Sequence, residues 1–131
     1  MEGYNSNRNV VHRCRYHVVW CPKYRRSVLK PPIDGTLKKI LQTVAHDMRS
    51  KIIEMEVMPD HVHVLIECDP QFGIHRVVKR MKGRSSHDLR QKSAWLKSRL
   101  PTIWTNSDFV ATVGSVSLDT VKKYIENQKG V

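Results

Sequence analysis

The chain has 131 residues, a formal net charge of +11 and an apolar fraction of 40%, with a pI near 9.9. That length holds one domain around one core, spanning residues 1–131, and leaves no room for a large second one. No apolar run approaches the roughly 20 residues that span a bilayer, and no signal-peptide core opens the chain, so a soluble, cytoplasmic protein with no membrane partner is expected. The excess of Lys and Arg points instead to a polyanion, because clustered cations release the counterions condensed on phosphate.

Residues Met1 to Asn9 are polar and are expected to fray. From His12 to Trp20 the alternation of Cys14, Tyr16, Val18 and Trp20 predicts a strand with two unlike faces, ended by Cys21-Pro22. Lys23 to Arg26 is a basic connector. A helix is predicted from Pro32 to Arg49, where Leu37, Ile40, Leu41, Val44 and Met48 recur at helical spacing. Lys51 to Met58 and His61 to Glu67 read as two strands, joined by a tight turn at Met58-Pro59-Asp60-His61. Ile74 to Met81 reads as a helix, Gly83 as an interruption, and Ser85 to Ala94 as a second, basic helix. Leu100 to Asn106 is loop-like and Phe109 to Val116 β-rich. A last helix begins at Ser117, a suitable N-cap, with Leu118, Val121 and Ile125 as its apolar stripe. The order β-α-β-β-α-β-α is that of an α+β fold, a ferredoxin-like antiparallel sheet with helices on one face. Cys14, Cys21 and Cys68 are odd in number and form no Cys-x-x-Cys pair, which speaks against a disulfide framework or zinc ribbon. Reduced thiols are expected.

The strongest chemical signal is His61-Val62-His63. On a strand these imidazoles share one face, about 7 Å apart, while Val62, Val64 and Ile66 face the other way. Such a pair can converge on one metal ion or one phosphate. Leu65 stands where a histidine-triad hydrolase would carry a third histidine, and no second His-x-Thr/Ser element marks a 2H phosphodiesterase. The last helix offers partners. Tyr124 and Gln128 lie four residues apart on one flank. A phenol with a pKa near 10 is a weak nucleophile unless a cation makes the target phosphate more electrophilic. Two imidazoles and an amide oxygen form a mixed set that suits Mg²⁺ or Mn²⁺ better than structural zinc. Residue by residue, a hydrogen-bonded histidine pair, a packing tyrosine and a solvated glutamine stay open as alternatives.

From Gln71 to Leu100 there are nine Lys or Arg against one acid, Asp88. Lys79, Arg80, Lys82 and Arg84 in that stretch are candidate DNA contacts, and Lys23, Arg25 and Arg26 around Tyr24 form a second patch where a base could stack. Trp20, Trp95 and Trp104 read as core or interface residues. His12, His17, His46, His75 and His87 have no partner pattern and receive no role.

Met58-Pro59-Asp60-His61-Val62-His63 together with Lys123-Tyr124-Ile125-Glu126-Asn127-Gln128 resemble the single-tyrosine HUH transposases of the insertion-sequence 200/605 family. The resemblance extends to Tyr16 through Arg25, to Lys82 through Ser86 and to Leu100 through Trp104, in the family's order, from about Asn9 to Gln128. It implies that His61 and His63 bind a divalent metal, completed in some members at the position of Gln128, and that Tyr124 forms a 5′-phosphotyrosine and frees a 3′-hydroxyl. It further implies single-stranded DNA hairpins at transposon ends as substrate, and a homodimer in which the tyrosine helix of one subunit serves the histidine pair of the other. The tail beyond Gln128 is shorter than in some relatives. A domesticated relative that processes repeated palindromes shares these residues. A non-catalytic RNA or DNA hairpin binder, with structural histidines, would need no metal. A metal-dependent phosphodiesterase would keep its activity without Tyr124.

Overall fold

Alternating and β-branched stretches become the strands of one antiparallel sheet, and the periodicity of each strand decides which side it shows to the helices. The computed structural model describes residues 5–7, 10–12, 14–100, 102–113 and 118–129. Its elements are β1 (Asn5–Asn7), β2 (Val10–His12), β3 (Cys14–Trp20), a 3₁₀ turn (Lys23–Arg25), α1 (Ile33–Asp47), β4 (Lys51–Met58), β5 (His61–Cys68), α2 (Ile74–Lys92), α3 (Ala94–Arg99), β6 (Phe109–Thr112) and α4 (Leu118–Glu126). The main sheet runs β4-β5-β3-β6, and β1 pairs with β2 in a separate ribbon. The β3 to β6 elements and helices α1 and α2 give the expected ferredoxin-like α+β arrangement.

Register assigns the two faces. Val18 pairs with Val64 and Trp20 with Val62, and this side is buried against Leu37, Leu41 and Val44 of α1 and Val77, Val78 and Met81 of α2. Each such side chain contributes about 1.5–3 kcal/mol on burial, so this face supplies most of the stability. The opposite side carries His17, Val19, His61, His63 and Leu65. Across it, Phe109 pairs with Val19 and Val19 with His63, so the three lie in one row over three strands.

The structure corrects the expected break at Gly83: α2 runs unbroken from Ile74 to Lys92. Gly83 lies on its exposed side with open space where a Cβ would sit. A glycine there costs about 1 kcal/mol relative to alanine, far less than the burial of Val77, Val78, Met81 and Leu89 on either side returns. The short helix α3 covers the stretch between the expected helix end at Ala94 and the loop at Leu100. Of the N-terminal segment, Asn5–Asn7 lie in β1, while 1–4, 8 and 9 fall outside the described residues, as do the expected N-cap Ser117, the end of the fourth strand at 114–116 and the tail at 130–131. The three cysteines are unpaired thiols, with Cys21 and Cys68 buried.

The loop segment 102–106 is pinned rather than loose. Trp104 donates its indole N–H to Ser85 Oγ on α2 at 2.9 Å and meets Trp20 edge to face at 5.9 Å. Trp95 is 46% exposed beneath the Arg99 guanidinium.

Candidate active site on the open face of the sheet

The turn Pro59-Asp60 closes the β4–β5 hairpin and puts the Asp60 carboxylate directly before the histidine strand. Asp60 Oδ1 lies 2.8 Å from His61 Nδ1. A carboxylate on Nδ1 sets the tautomer with the proton there and leaves Nε2 free to bind a cation. His63 is half-buried, and burial, reinforced by neighbouring His17, lowers its pKa, so the ring is held neutral. His17 stacks on it with centroids 5.4 Å apart and its Nδ1 lies 3.2 Å from His63 Nε2. A cation entering at Nε2 therefore competes with His17. Among the described residues no cluster of three or more His, Cys, Asp or Glu side chains is placed to hold a metal. The donor set is thus two imidazoles, which fits a Mg²⁺- or Mn²⁺-type site completed by water and phosphate and does not fit structural zinc.

α4 lies over the row on the same face. The Tyr124 ring packs on Phe109 with centroids 5.6 Å apart. Phe109 and His63 stand two strands apart, about 10 Å at strand spacing, with the buried Val19 between them. The phenol is half-buried, and desolvation is the largest influence on it, raising its pKa above the ordinary tyrosine value while the Ser107 hydrogen bond partly offsets this. Ser107 Oγ lies 3.1 Å from the Tyr124 hydroxyl and donates to Gln128 Oε1 at 3.0 Å. Either hydroxyl can be the donor between Ser107 and Tyr124. α4 ends at Glu126, so Gln128 sits in the following turn, 7% exposed. Its amide oxygen is engaged by Ser107.

The basic residues divide. Lys82 points inward: its Nζ donates to Thr105 O at 2.8 Å and Ser107 O at 3.0 Å and faces Asp108 at 3.5 Å. Burial lowers its pKa, opposed by Asp108. It is a strut beneath the Ser107 loop. Arg25 also points inward, to Asp60 at 3.3 Å and to the Ile125 carbonyl at 3.3 Å. Arg84 pairs with Asp47 at 3.4 Å and Asp88 at 3.6 Å. Lys79 and Arg80 are exposed and line a groove of about 810 Å³ between α1 and α2, with Arg76, Arg84, Met48 and Phe72. Arg26 is exposed, and Lys23 and Arg26 both lie over the Tyr24 ring at 5.4 and 5.9 Å.

Asp60, Ser107 and His17 are the site residues that pattern reading passed over. Asp60 had a local signal, as the residue before the first histidine. Ser107 had none, since its role comes from the Trp104 and Lys82 anchors.

A family model described as "Transposase IS200 like" matches residues 10–128. The ISDra2 transposase TnpA of Deinococcus radiodurans is 38% identical over 125 residues, 94% of this chain and 89% of that protein. The transposase for insertion sequence element IS200 of Salmonella typhimurium is 30% identical over 117 residues, 88% of this chain and 76% of that one. A crystal structure from Deinococcus radiodurans R1, of a protein described as a transposase, superposes with a TM-score of 0.86 at 33% identity, covering 97% of this chain and 99% of that one. A REP-associated tyrosine transposase bound to a REP hairpin shares the fold alone, with a TM-score of 0.60 at 14% identity over 93% of this chain and 68% of that one. With a family match over nearly its whole length and relatives at this identity, the chain belongs to the IS200-like transposase family, enzymes that cut and transfer DNA strands.

Proposed function

We propose that this transposase cuts single-stranded DNA beside hairpins and rejoins it through a phosphotyrosine at Tyr124. The observation that carries the reading is the row Phe109–Val19–His63, with the Tyr124 ring seated on one end and the histidine pair at the other. A phosphodiester bound on this face would meet the nucleophile on one side and the two imidazoles on the other. The Tyr124 oxygen attacks phosphorus, the bond from phosphorus to the 3′ oxygen breaks, and the freed oxygen takes up a proton as a 3′-hydroxyl. The phenol proton passes to solvent water, while Ser107 and Gln128 hold the hydroxyl in place by their hydrogen bonds. A later 3′-hydroxyl attacks the phosphotyrosine, reseals the strand and returns the phenol. His61 and His63 would hold Mg²⁺ or Mn²⁺, with Gln128 as a further oxygen donor on release from Ser107. That cation supplies charge neutralisation at the phosphate and at the leaving oxygen.

Hairpin DNA is proposed as substrate on the strength of charge. The α1–α2 groove, with Arg76, Lys79, Arg80 and Arg84, lies on the helix side and suits a duplex stem, and Lys23, Tyr24 and Arg26 suit a single-stranded flank. A homodimer with active sites shared between subunits belongs to the same proposal; here the Tyr124 and Ile125 contacts lie within one chain.

Covalent capture tests it. Labelled single-stranded hairpin oligonucleotides from the flanks of the gene are incubated with Mn²⁺ or EDTA and run on a denaturing gel. A metal-dependent adduct on the 3′ fragment that is absent from Tyr124→Phe is the expected result. Cleavage that survives in Tyr124→Phe without an adduct would mean a phosphodiesterase. Binding that is indifferent to EDTA, with no adduct, would mean a hairpin binder.

A further inference from the structure

Two successive residues, Tyr24 and Arg25, adopt left-handed backbone with φ of 60° and 50°, which non-glycine residues rarely take without outside support. That support is present. Lys23 N–H donates to Ile103 O at 2.7 Å, Arg25 N–H to Pro22 O at 2.8 Å and Thr105 N–H to Cys21 O at 3.1 Å, and Pro22 bridges to Trp104. On the other side Leu29 N–H donates to Pro59 O at 3.0 Å, and the Arg25 guanidinium faces Asp60 at 3.3 Å. The turn is thus clamped between the loop segment 102–106 and the β4–β5 hairpin. The clamp turns Arg25 inward, its side chain 15% exposed, and Tyr24 outward, 47% exposed. A tyrosine ring ordinarily stabilises a fold by being buried, so a backbone strained to expose one calls for another reason.

Its position supplies that reason. β3 ends at Trp20 opposite Val62, so the turn follows at the end of the sheet where His61 stands. Asp60, the partner of Arg25, holds His61 Nδ1 at 2.8 Å. Trp104, bridged to Pro22, is bonded to Ser85 of α2, so the same turn also borders the helix side. A strand that leaves a stem in the α1–α2 groove and reaches the histidine pair on the open face crosses this edge. Lys23 Nζ and Arg26 Cζ lie there, 5.4 and 5.9 Å from the centre of the Tyr24 ring, placed for the phosphates on either side of a stacked base. An exposed aromatic ring flanked by cations is the form that single-strand stacking platforms take.

We infer that Tyr24 is a stacking platform for one unpaired nucleobase beside the phosphate held at His61 and His63. The inference rests on the single-stranded DNA substrate proposed above and deepens it by assigning the base contact to one side chain. Stacking tolerates any base, since each has a π face, so Tyr24 fixes where the strand lies and carries no sequence code. The platform and the histidine pair belong to one sheet, and the arrangement is the same whichever subunit supplies Tyr124.

Binding is read by fluorescence anisotropy on the full chain in EDTA, so neither cleavage nor the cation site enters it. The probes are labelled hairpin oligonucleotides from the flanks of the gene, with an abasic site moved one position at a time through the unpaired flank. In the wild type one position should stand out, its abasic form binding roughly 10-fold more weakly. Tyr24→Gly should weaken the intact oligonucleotide by the same factor and lose nothing further at that position, because ring and base form one interaction. Glycine takes positive φ without strain, so this variant should melt no lower than the wild type. Tyr24→Phe keeps the ring and should bind within about 2-fold of wild type. The slope of log affinity against log salt should be unchanged in Tyr24→Gly and should fall by about 0.7 in Arg26→Gln, which removes a phosphate contact. Undiminished binding by Tyr24→Gly, or a loss that adds to the abasic loss at every position, would overturn the platform. So would a lowered melting temperature, which would make the ring a packing residue, or a reduced salt slope, which would make it a support for its neighbouring cations. If the wild type binds a strand without a hairpin as tightly as the probe, the hairpin substrate fails and the platform with it. Hairpin binding in which the wild type tolerates every abasic position sinks the platform alone.

Discussion

Ser107 is the joint on which the proposed nucleophile turns, and Ser107→Ala isolates it. The substitution removes the hydrogen-bond partner of the Tyr124 phenol and the donor to Gln128 Oε1. The bond to Tyr124 faces solvent and water can replace it, so its loss costs little stability. The bond to Gln128 is more enclosed, and losing a neutral bond of this kind costs about 1 kcal/mol, rising towards about 3 kcal/mol only if the amide oxygen stays dry. Because Ser107 is itself exposed, water can follow the missing hydroxyl and the lower figure applies. For a domain of this length, about 1 kcal/mol lowers Tm by roughly 3–5 °C. The effect on chemistry is larger. Displacing a reacting group by about 1 Å costs around 100-fold, but Phe109 still packs against the Tyr124 ring and restrains it. A fall of about 10-fold in the single-turnover rate of adduct formation is therefore expected, with DNA affinity unchanged because the basic groove lies on the other side of the sheet. Ser107→Thr, which keeps a hydroxyl, should recover most of the rate. An adduct rate within about two-fold of wild type in Ser107→Ala, against the loss argued from misplacement, would refute the placement of Tyr124 by Ser107. A loss confined to DNA affinity would refute it equally.

Gly83→Ala should raise stability by about 0.5–1 kcal/mol, because α2 is continuous there and a Cβ meets nothing; a thermal melt showing destabilisation would mean that the helix breaks at that point. Burial pushes the Cys21 and Cys68 thiols up to about 11, so at pH 8 both should resist a disulfide-exchange reagent until urea is added, leaving Cys14 as the thiol that reacts in the folded chain. Burial also raises the Tyr124 phenol above its ordinary value of 10.0; the protonated form dominates at neutrality, and the adduct rate with Mg²⁺ should climb from pH 7 to pH 9 without levelling, a plateau near neutrality being the contrary result.

The sheet and its two faces were legible because they rest on alternation alone. Val62, Val64 and Ile66 against His61 and His63 is a period-2 pattern that burial enforces, since a one-residue slip would put both imidazoles into the core. The unbroken α2 was not legible, because glycine propensity is a local cost and the buried stripe that overrides it is a tertiary gain. Arg25 was misleading for a related reason. Composition put it among solvated cations, and only the left-handed turn braced by Pro22, Ile103 and Trp104, distant in sequence, aims it inward. Lys82 follows the same logic, with acceptors more than twenty residues away. Charge counts locate a basic segment, but which cations are free to meet phosphate depends on long-range contacts.

The raised pKa of Tyr124 looks at first like a handicap for a nucleophile, yet it follows from the same burial that positions the ring. A phenol in the open would ionise more readily but would have to be immobilised during attack, and it could meet any electrophile. Seated on Phe109 and tied to Ser107, it stays protonated and inert until a phosphate is held against the histidine pair. The barrier then has to be lowered at phosphorus and not at oxygen. On the proposed reading, reactivity is thereby conditional on a phosphate and a cation being brought to the phenol.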